Sequence, residues 1–228
     1  MSDKKNIPVL FDQGNDHMKP SLLARINYSS VYAYELLDTI VHFPDLLLKR
    51  FYKIRVPSDN SLVLELGCGT GRSSRMFAGK NVRVVNADIN KTFVAYGNKK
   101  KRLDRPVVCS AYALGFCTNA FDVVIVPDAF HHILNHEQLF CECNRVLKRE
   151  GIFIIFDIVM EKKAPNAVIN HFADGFIWSL SVQGFLEKIK NLAAAFGFTV
   201  AEVTMNKEKT LMGLLGGIDI QVRMVKNT

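Results

Sequence analysis

The feature that most constrains this chain is one short turn, Glu65-Leu66-Gly67-Cys68-Gly69-Thr70-Gly71-Arg72. An apolar run from Ser61 to Leu66 leads into it, and a helical pattern from Arg72 to Ala78, stopped by Gly79, leads out. Strand, glycine turn and helix in that order open an α/β sheet whose ligands bind at the carboxyl ends of the strands. The glycines let the backbone turn sharply and approach a ligand closely, and the following helix N-terminus favours an anionic group. A dinucleotide site would place a further glycine at position 72, where this chain has Arg72. The spacing is GxGxG instead, with the acid Glu65 ahead of the first glycine. A pyrophosphate makes no use of a carboxylate there, whereas a ligand carrying a cationic amino group does. Asp88 closes a second apolar run, Val82 to Ala87, and a carboxylate at that strand end can accept both hydroxyls of a ribose.

The rest of the chain continues the alternation. Asn90 is a helix cap, Pro106 to Ala111 a short third strand and Phe121 to Val126 a fourth. Asn135 with Gln138 reads as a capping box, followed by Leu139, Phe140, Cys143, Val146 and Leu147 at helical spacing, with Gly151 as the stop. Ile152 to Ile158 is a fifth strand. Phe185, Ile189, Leu192, Ala193 and Phe196 mark a helix ending at Gly197. Phe198 to Met205 and Ile218 to Val225 are the final two strands. The expected fold is therefore α/β, a Rossmann-like sheet of seven mostly parallel strands with helices on both faces. Residues 1–55 stand apart as an N-terminal helical cap, leaving 56–228 as the sheet domain. A second apolar-aromatic insert spans 162–180.

Composition bounds the rest. The chain has 228 residues, 49% of them hydrophobic, enough for one such domain with an extension. No apolar run approaches the ~18 residues of a spanning helix, and the N-terminus leads into no secretory signal, so no membrane span is expected. Cys68, Cys109, Cys117, Cys141 and Cys143 are odd in number and lack framework spacing, which suits a reducing cytoplasm. Cys141 and Cys143 point to different faces of a helix, and no metal site is expected. The net charge of +7 gathers most clearly at Lys99-Lys100-Lys101-Arg102, near Arg105. No aromatic residues interleave with it as a nucleic-acid stacking platform would require, so it reads as a solvated helix end.

These motifs together resemble the class I S-adenosylmethionine-dependent methyltransferases, from about Ser61 to Val225. Glu65, Gly67, Gly69 and Gly71 match that family's first motif, and Asp88 its ribose-binding acid. Phe121-Asp122-Val123-Val124-Ile125-Val126 followed by Phe130-His131-His132 matches its fourth-strand motif. Arg145-Val146-Leu147-Lys148-Arg149-Glu150-Gly151 matches the segment usually written RVLKPGG, with Arg149-Glu150 in place of Pro-Gly. Ala195-Phe196-Gly197-Phe198 looks like the common AGF before strand six. The set looks most like the small-molecule branch that includes quinone-biosynthesis methyltransferases. The resemblance implies S-adenosyl-L-methionine as cofactor, held by Glu65, Gly67, Cys68, Gly69, Gly71, Asp88, Ile89, Ser110, Ala111, Tyr112 and Pro127. One departure stands out: Ser110 occupies the position of an acid that usually meets the adenine amino group. A serine oxygen can accept that hydrogen bond without charge assistance.

The reaction implied is methyl transfer to a small-molecule acceptor, aromatic or lipid-like. His131, His132 and Asp128, beyond strand four, are the candidate bases, since histidine titrates in the useful range. One histidine of the pair must turn back into the helix–sheet packing. Tyr28, Tyr32, His171, Phe172, Phe176 and Trp178 are candidate walls of the acceptor pocket, in two segments expected to close over the methyl group. Two alternatives stay open: a methyltransferase acting on RNA, DNA or protein, and a non-methylating S-adenosylmethionine-binding protein on the same fold. Against nucleic acid stands Val126-Pro127-Asp128-Ala129-Phe130, which lacks the Asn/Asp-Pro-Pro-aromatic string of exocyclic-amine methylation and offers no nucleophilic cysteine.

Overall fold

The structure is a computed structural model, and residues 30–42, 60–160, 181–207 and 217–228 are described. Helix α1 spans Val31–His42. The sheet then begins with β1, Leu62–Leu66, and β2, Arg83–Asp88, followed by α2, Lys91–Lys99, and β3, Arg105–Val108. Strand β4, Phe121–Pro127, precedes α3, His136–Val146, and the long β5, Leu147–Met160. Helix α4, Val182–Ala195, leads to β6, Phe198–Lys207, and β7, Gly217–Lys226.

The seven strands lie in the order β3-β2-β1-β4-β5-β7-β6. Pairs from β3 to β5 are parallel, while β7 runs antiparallel to both its neighbours. The sheet is thus mostly parallel, as expected. Alternate residues divide between its faces. Val63, Val123, Ile125, Ile154 and Phe156 pack with Met76 and Phe77 on one side. Leu64, Val124, Phe153 and Ile155 pack beneath Phe140 of α3 and Phe185 of α4 on the other.

Three differences from the sequence reading bear on the site and its surroundings. The helix expected from Arg72 to Ala78 is a 3₁₀ helix, Ser73–Phe77, whose serines are drawn to a buried carboxylate described below. The third strand ends at Val108, and Cys109 to Ala111 leave the sheet to line a cavity. Helix α3 stops at Val146 rather than near Gly151, because Leu147 is already extended (ψ 140°) and pairs with Phe121 of β4. The register then shifts before Val123 meets Ile152. Glu150 absorbs that shift in the left-handed region, at φ +58°.

Candidate active site

Strand β1 has β2 on one side and β4 on the other, so the chain leaves β1 in both directions and a crevice opens at the carboxyl edge between them. The glycine turn sits in that crevice. Gly67 and Cys68 both donate their N–H to the Ala87 carbonyl, at 2.8 and 3.1 Å. Gly67 has φ +73°, and a Cβ there would lie 2.3 Å from Cβ of Ala129. Gly71, at φ +84°, is pressed against Arg102 and Leu103, where a Cβ would come within 2.7 and 2.8 Å. These two glycines are demanded by packing. Gly69 faces the open space, with Tyr34 Oη the nearest atom to such a Cβ at 3.8 Å.

The cavity draws on six segments. The glycine turn gives Leu66, Gly67 and Gly69, and the end of β2 gives Ala87, Asp88, Ile89 and Asn90. Cys109, Ser110, Ala111 and Tyr112 follow β3, while Asp128, Ala129, His132 and Ile133 follow β4. Tyr34 of α1 and Phe93 of α2, with ring centroids 4.6 Å apart, complete the wall. Among the expected residues, Gly67, Gly69, Asp88, Ile89, Ser110, Ala111, Tyr112, Asp128 and His132 are therefore brought together.

Others are not. Glu65 is fully buried on the sheet face opposite Leu64 and Leu66, and its carboxylate accepts from Ser73 Oγ (2.5 Å), Ser74 Oγ (2.6 Å) and Asn86 Nδ2 (2.6 Å). Strand alternation aims it under the 3₁₀ helix and away from the cavity. Glu65, expected to meet a ligand's amino group, therefore does not line the cavity. Burial raises its pKa, against the lowering effect of those three hydrogen bonds. Cys68 packs with Val94 and Leu103, and Pro127 pairs with Phe156 inside the sheet, so neither lines the cavity. Tyr32 is 74% exposed and meets Tyr96 edge-on at 6.1 Å, outside the cavity wall. Tyr28, His171, Phe172, Phe176 and Trp178 lie outside the described residues.

The two histidines separate as one of them had to. His131 turns inward, its Nδ1 2.8 Å from Oδ1 of the buried Asp157 and its backbone N–H donating to Oδ2 at 3.0 Å. His132 lines the cavity and lies against the His131 ring, centroids 3.9 Å apart. Burial, with His131 adding to it, pushes the His132 pKa well below the usual histidine range, so its imidazole is neutral at neutral pH. Asp128 follows β4 in a left-handed conformation, φ +46°.

Asp88 accepts N–H bonds from Gly69 on one oxygen and from Asn90 on the other, both at 2.8 Å. A carboxylate retains further lone pairs on each oxygen, so two hydroxyls can still be received. Burial raises its pKa against those backbone bonds. Asn90 was legible from sequence as a helix cap, and its Oδ1 does accept from Thr92 and Phe93 N–H. Its Nδ2 is buried on the cavity wall and finds no acceptor among the described residues. That donor, with Asp88, Ser110 Oγ and an apolar lining, fits a nucleoside whose ribose and base both carry acceptors. Tyr34, Asn90 and Phe93 were missed as site residues. Tyr34 lay within a helical aromatic stretch and carried no motif of its own. Among the described residues no group of three His, Cys, Asp or Glu is placed to hold a metal, and no helix is long and apolar enough to cross a membrane.

Fold and site together define an S-adenosylmethionine-dependent methyltransferase of class I. Residues 64–155 match the family model described as a methyltransferase domain. The chain is 31% identical over 182 residues to the ubiquinone/menaquinone biosynthesis C-methyltransferase UbiE of Blochmanniella pennsylvanica (strain BPEN), covering 75% of this chain and 70% of that protein. It is 26% identical over 130 residues to the demethylmenaquinone methyltransferase of Thermotoga maritima, covering 55% and 57%. The chain therefore belongs to the class I S-adenosylmethionine-dependent methyltransferases, among those resembling quinone-biosynthesis enzymes. Two solved structures share the fold alone. A chain of the complex between the Haloferax volcanii Trm112 methyltransferase activator and the putative methyltransferase aligns with TM-score 0.68 at 16% identity, over 92% of this chain and 100% of that one. The [4+2]-cyclase SpnF aligns with TM-score 0.63 at 15% identity, over 80% and 81%.

Proposed function

We propose that this methyltransferase transfers its methyl group to a ring carbon of a small hydroxylated aromatic acceptor of the hydroquinone type. The observation that carries the reading is the placement of His132 on the cavity wall, packed on the His131 ring that Asp157 holds. Relatives named as quinone-biosynthesis C-methyltransferases support the same class. The cofactor, when bound, supplies an electrophilic methyl group on a sulfonium. Gly69, Asp88, Asn90 and Ser110 are assigned to hold it. His132 accepts the proton of the acceptor hydroxyl. With the cofactor bound, the electron pair left on oxygen would make the ortho carbon nucleophilic, and that carbon would form its bond to the methyl group as the methyl–sulfur bond breaks to leave a neutral thioether. His132 would then return its proton to the oxygen while the ring proton passes to solvent, which restores the aromatic ring. Asp157 holds the His131 ring, and His131 in turn fixes the face against which His132 packs. The mostly apolar wall limits the water that reaches the reacting centre.

The test pairs substrate and variant. Purified protein with S-adenosylmethionine is given a demethylated hydroquinone, its oxidised quinone and its O-methyl ether, and products are located by mass spectrometry and NMR. Methylation of a ring carbon in the hydroquinone alone is expected. His132→Ala should lower kcat by about 10²-fold or more, the scale of general-base catalysis, while S-adenosylhomocysteine binds as before. Methylation at oxygen or nitrogen, or full activity in His132→Ala, overturns the reading.

A further inference from the structure

The face of α1 next to Tyr34 carries a contact that the methyl-transfer reading does not use. Glu35 reaches the glycine turn, where Thr70 Oγ1 donates to its Oε1 at 2.5 Å. Arg102, in the connection between α2 and β3, places Nη1 3.0 Å from both Glu35 oxygens. The same Nη1 lies 3.5 Å from the Thr70 carbonyl, and Arg72 Nη2 lies 3.5 Å from the Glu35 carbonyl. The Arg102 Cβ is the atom pressed against Gly71. Glu35 and Arg102 are largely shielded, with side chains 16% and 19% exposed, and Thr70 is buried. One carboxylate thus ties three pieces of chain together: the helix that roofs the cavity, the turn that forms its floor and the connection behind that turn.

We propose that Glu35 is a positioning residue that latches α1 over the cofactor cavity, so that the cofactor enters and leaves when this carboxylate releases Thr70 and Arg102. Tyr34, adjacent to Glu35 on α1, faces Gly69 across the cavity, so lifting α1 withdraws part of the wall. Glu35 and its partners Thr70 and Arg102 lie outside the cavity lining, so the strength of the latch does not depend on what the cavity holds. The latch therefore weights closure equally with and without cofactor. Two states of that kind gate both directions of exchange and leave the equilibrium nearly untouched, since a bias shared by free and bound protein cancels from the affinity.

The proposal rests on the assignment of the cavity to the cofactor and is independent of the acceptor. Stopped-flow measurements with S-adenosylhomocysteine on the full chain test it. Glu35→Gln keeps the shape and removes the charge. Association and dissociation should both accelerate, each by about tenfold, the scale of lost hydrogen bonds to a charged group, while Kd moves by less than about threefold. A role confined to holding α1 in place would raise dissociation without raising association. Arg102→Gln serves as the second variant and should reproduce both accelerations. The double variant should be no faster than either single one, because both break the same latch. Unchanged association in these variants, or additive effects in the double variant, overturns the proposal while leaving the cofactor cavity standing. Failure of the unsubstituted protein to bind S-adenosylhomocysteine overturns both.

Discussion

At the scale of single residues, Glu65 shows how a motif position acquires its physical meaning. Its motif place and its charge suggest contact with a cationic ligand. The alternation of β1 sends it instead to the opposite face, where two hydroxyls and an amide converge on it. Glu65→Gln would set an amide NH₂ against those donors in a site with no water access. Stability should fall by about 1.5–3 kcal/mol, the range for hydrogen bonds to a charged group, with S-adenosylhomocysteine affinity changed by less than about threefold. Urea denaturation and calorimetric titration on the same variant check both halves. A large affinity loss without a stability loss would restore Glu65 to the cavity. Asp88 is the contrary case, since its motif position and its place in the cavity agree.

Among elements, the junction of α3 and β5 shows how a family signature is built. Arg145 in the last turn of α3 donates to both oxygens of Glu142 at 2.7 and 2.8 Å, and to the carbonyls of Phe116 and Leu114, each at 2.7 Å. The fork fixes the segment that follows β3, and with it Ser110 to Tyr112 on the cavity wall. Tyr112 Oη in turn accepts N–H bonds from Leu134 and Asn135 ahead of α3. Further along, Glu150 stands where relatives of this segment usually have glycine, and its left-handed φ supplies the reason for that glycine. A side chain in that conformation costs about 1 kcal/mol or more, partly offset by the greater freedom glycine has when unfolded. Glu150→Gly should therefore stabilise the protein by up to about 1 kcal/mol, read as a higher urea midpoint at unchanged slope. A lower midpoint would show that the Glu150 side chain contributes more than its backbone strain costs.

For the whole molecule, cofactor binding and folding are linked. The cavity gathers residues from the glycine turn, the ends of β2, β3 and β4, and from α1 and α2, so no unfolded chain presents it. A ligand at about 100 times its Kd should add about 2.7 kcal/mol of stability. For a protein of this size that amounts to about 5–10 °C in Tm. S-adenosylhomocysteine should produce that shift in a thermal melt. Asp88→Ala should bind it about tenfold to a hundredfold more weakly and lose about half of the shift or more, since the carboxylate both receives the ribose and holds Gly69 and Asn90 in place. An equal shift in Asp88→Ala would move the ribose elsewhere.

What the sequence determined by itself was periodic or local. Strand alternation and apolar runs announced the seven strands, and the glycine spacing announced a turn unlike that of a dinucleotide site. Asn90 and Asn135 could be placed near helix starts because capping is a matter of neighbouring residues, and both side chains do cap. The tertiary structure decided which side each residue faces and which distant residues meet. Adjacent positions on one strand point to opposite faces, so a motif read in line cannot separate Glu65 from Leu66, and in the 3₁₀ turn Phe130–His132 it cannot separate the inward His131 from the cavity-lining His132. Tyr34 and Glu35 could not be found from the chain alone. Their roles depend on Gly69, Thr70 and Arg102, residues far away in sequence that only the packing of α1 onto the sheet brings within reach.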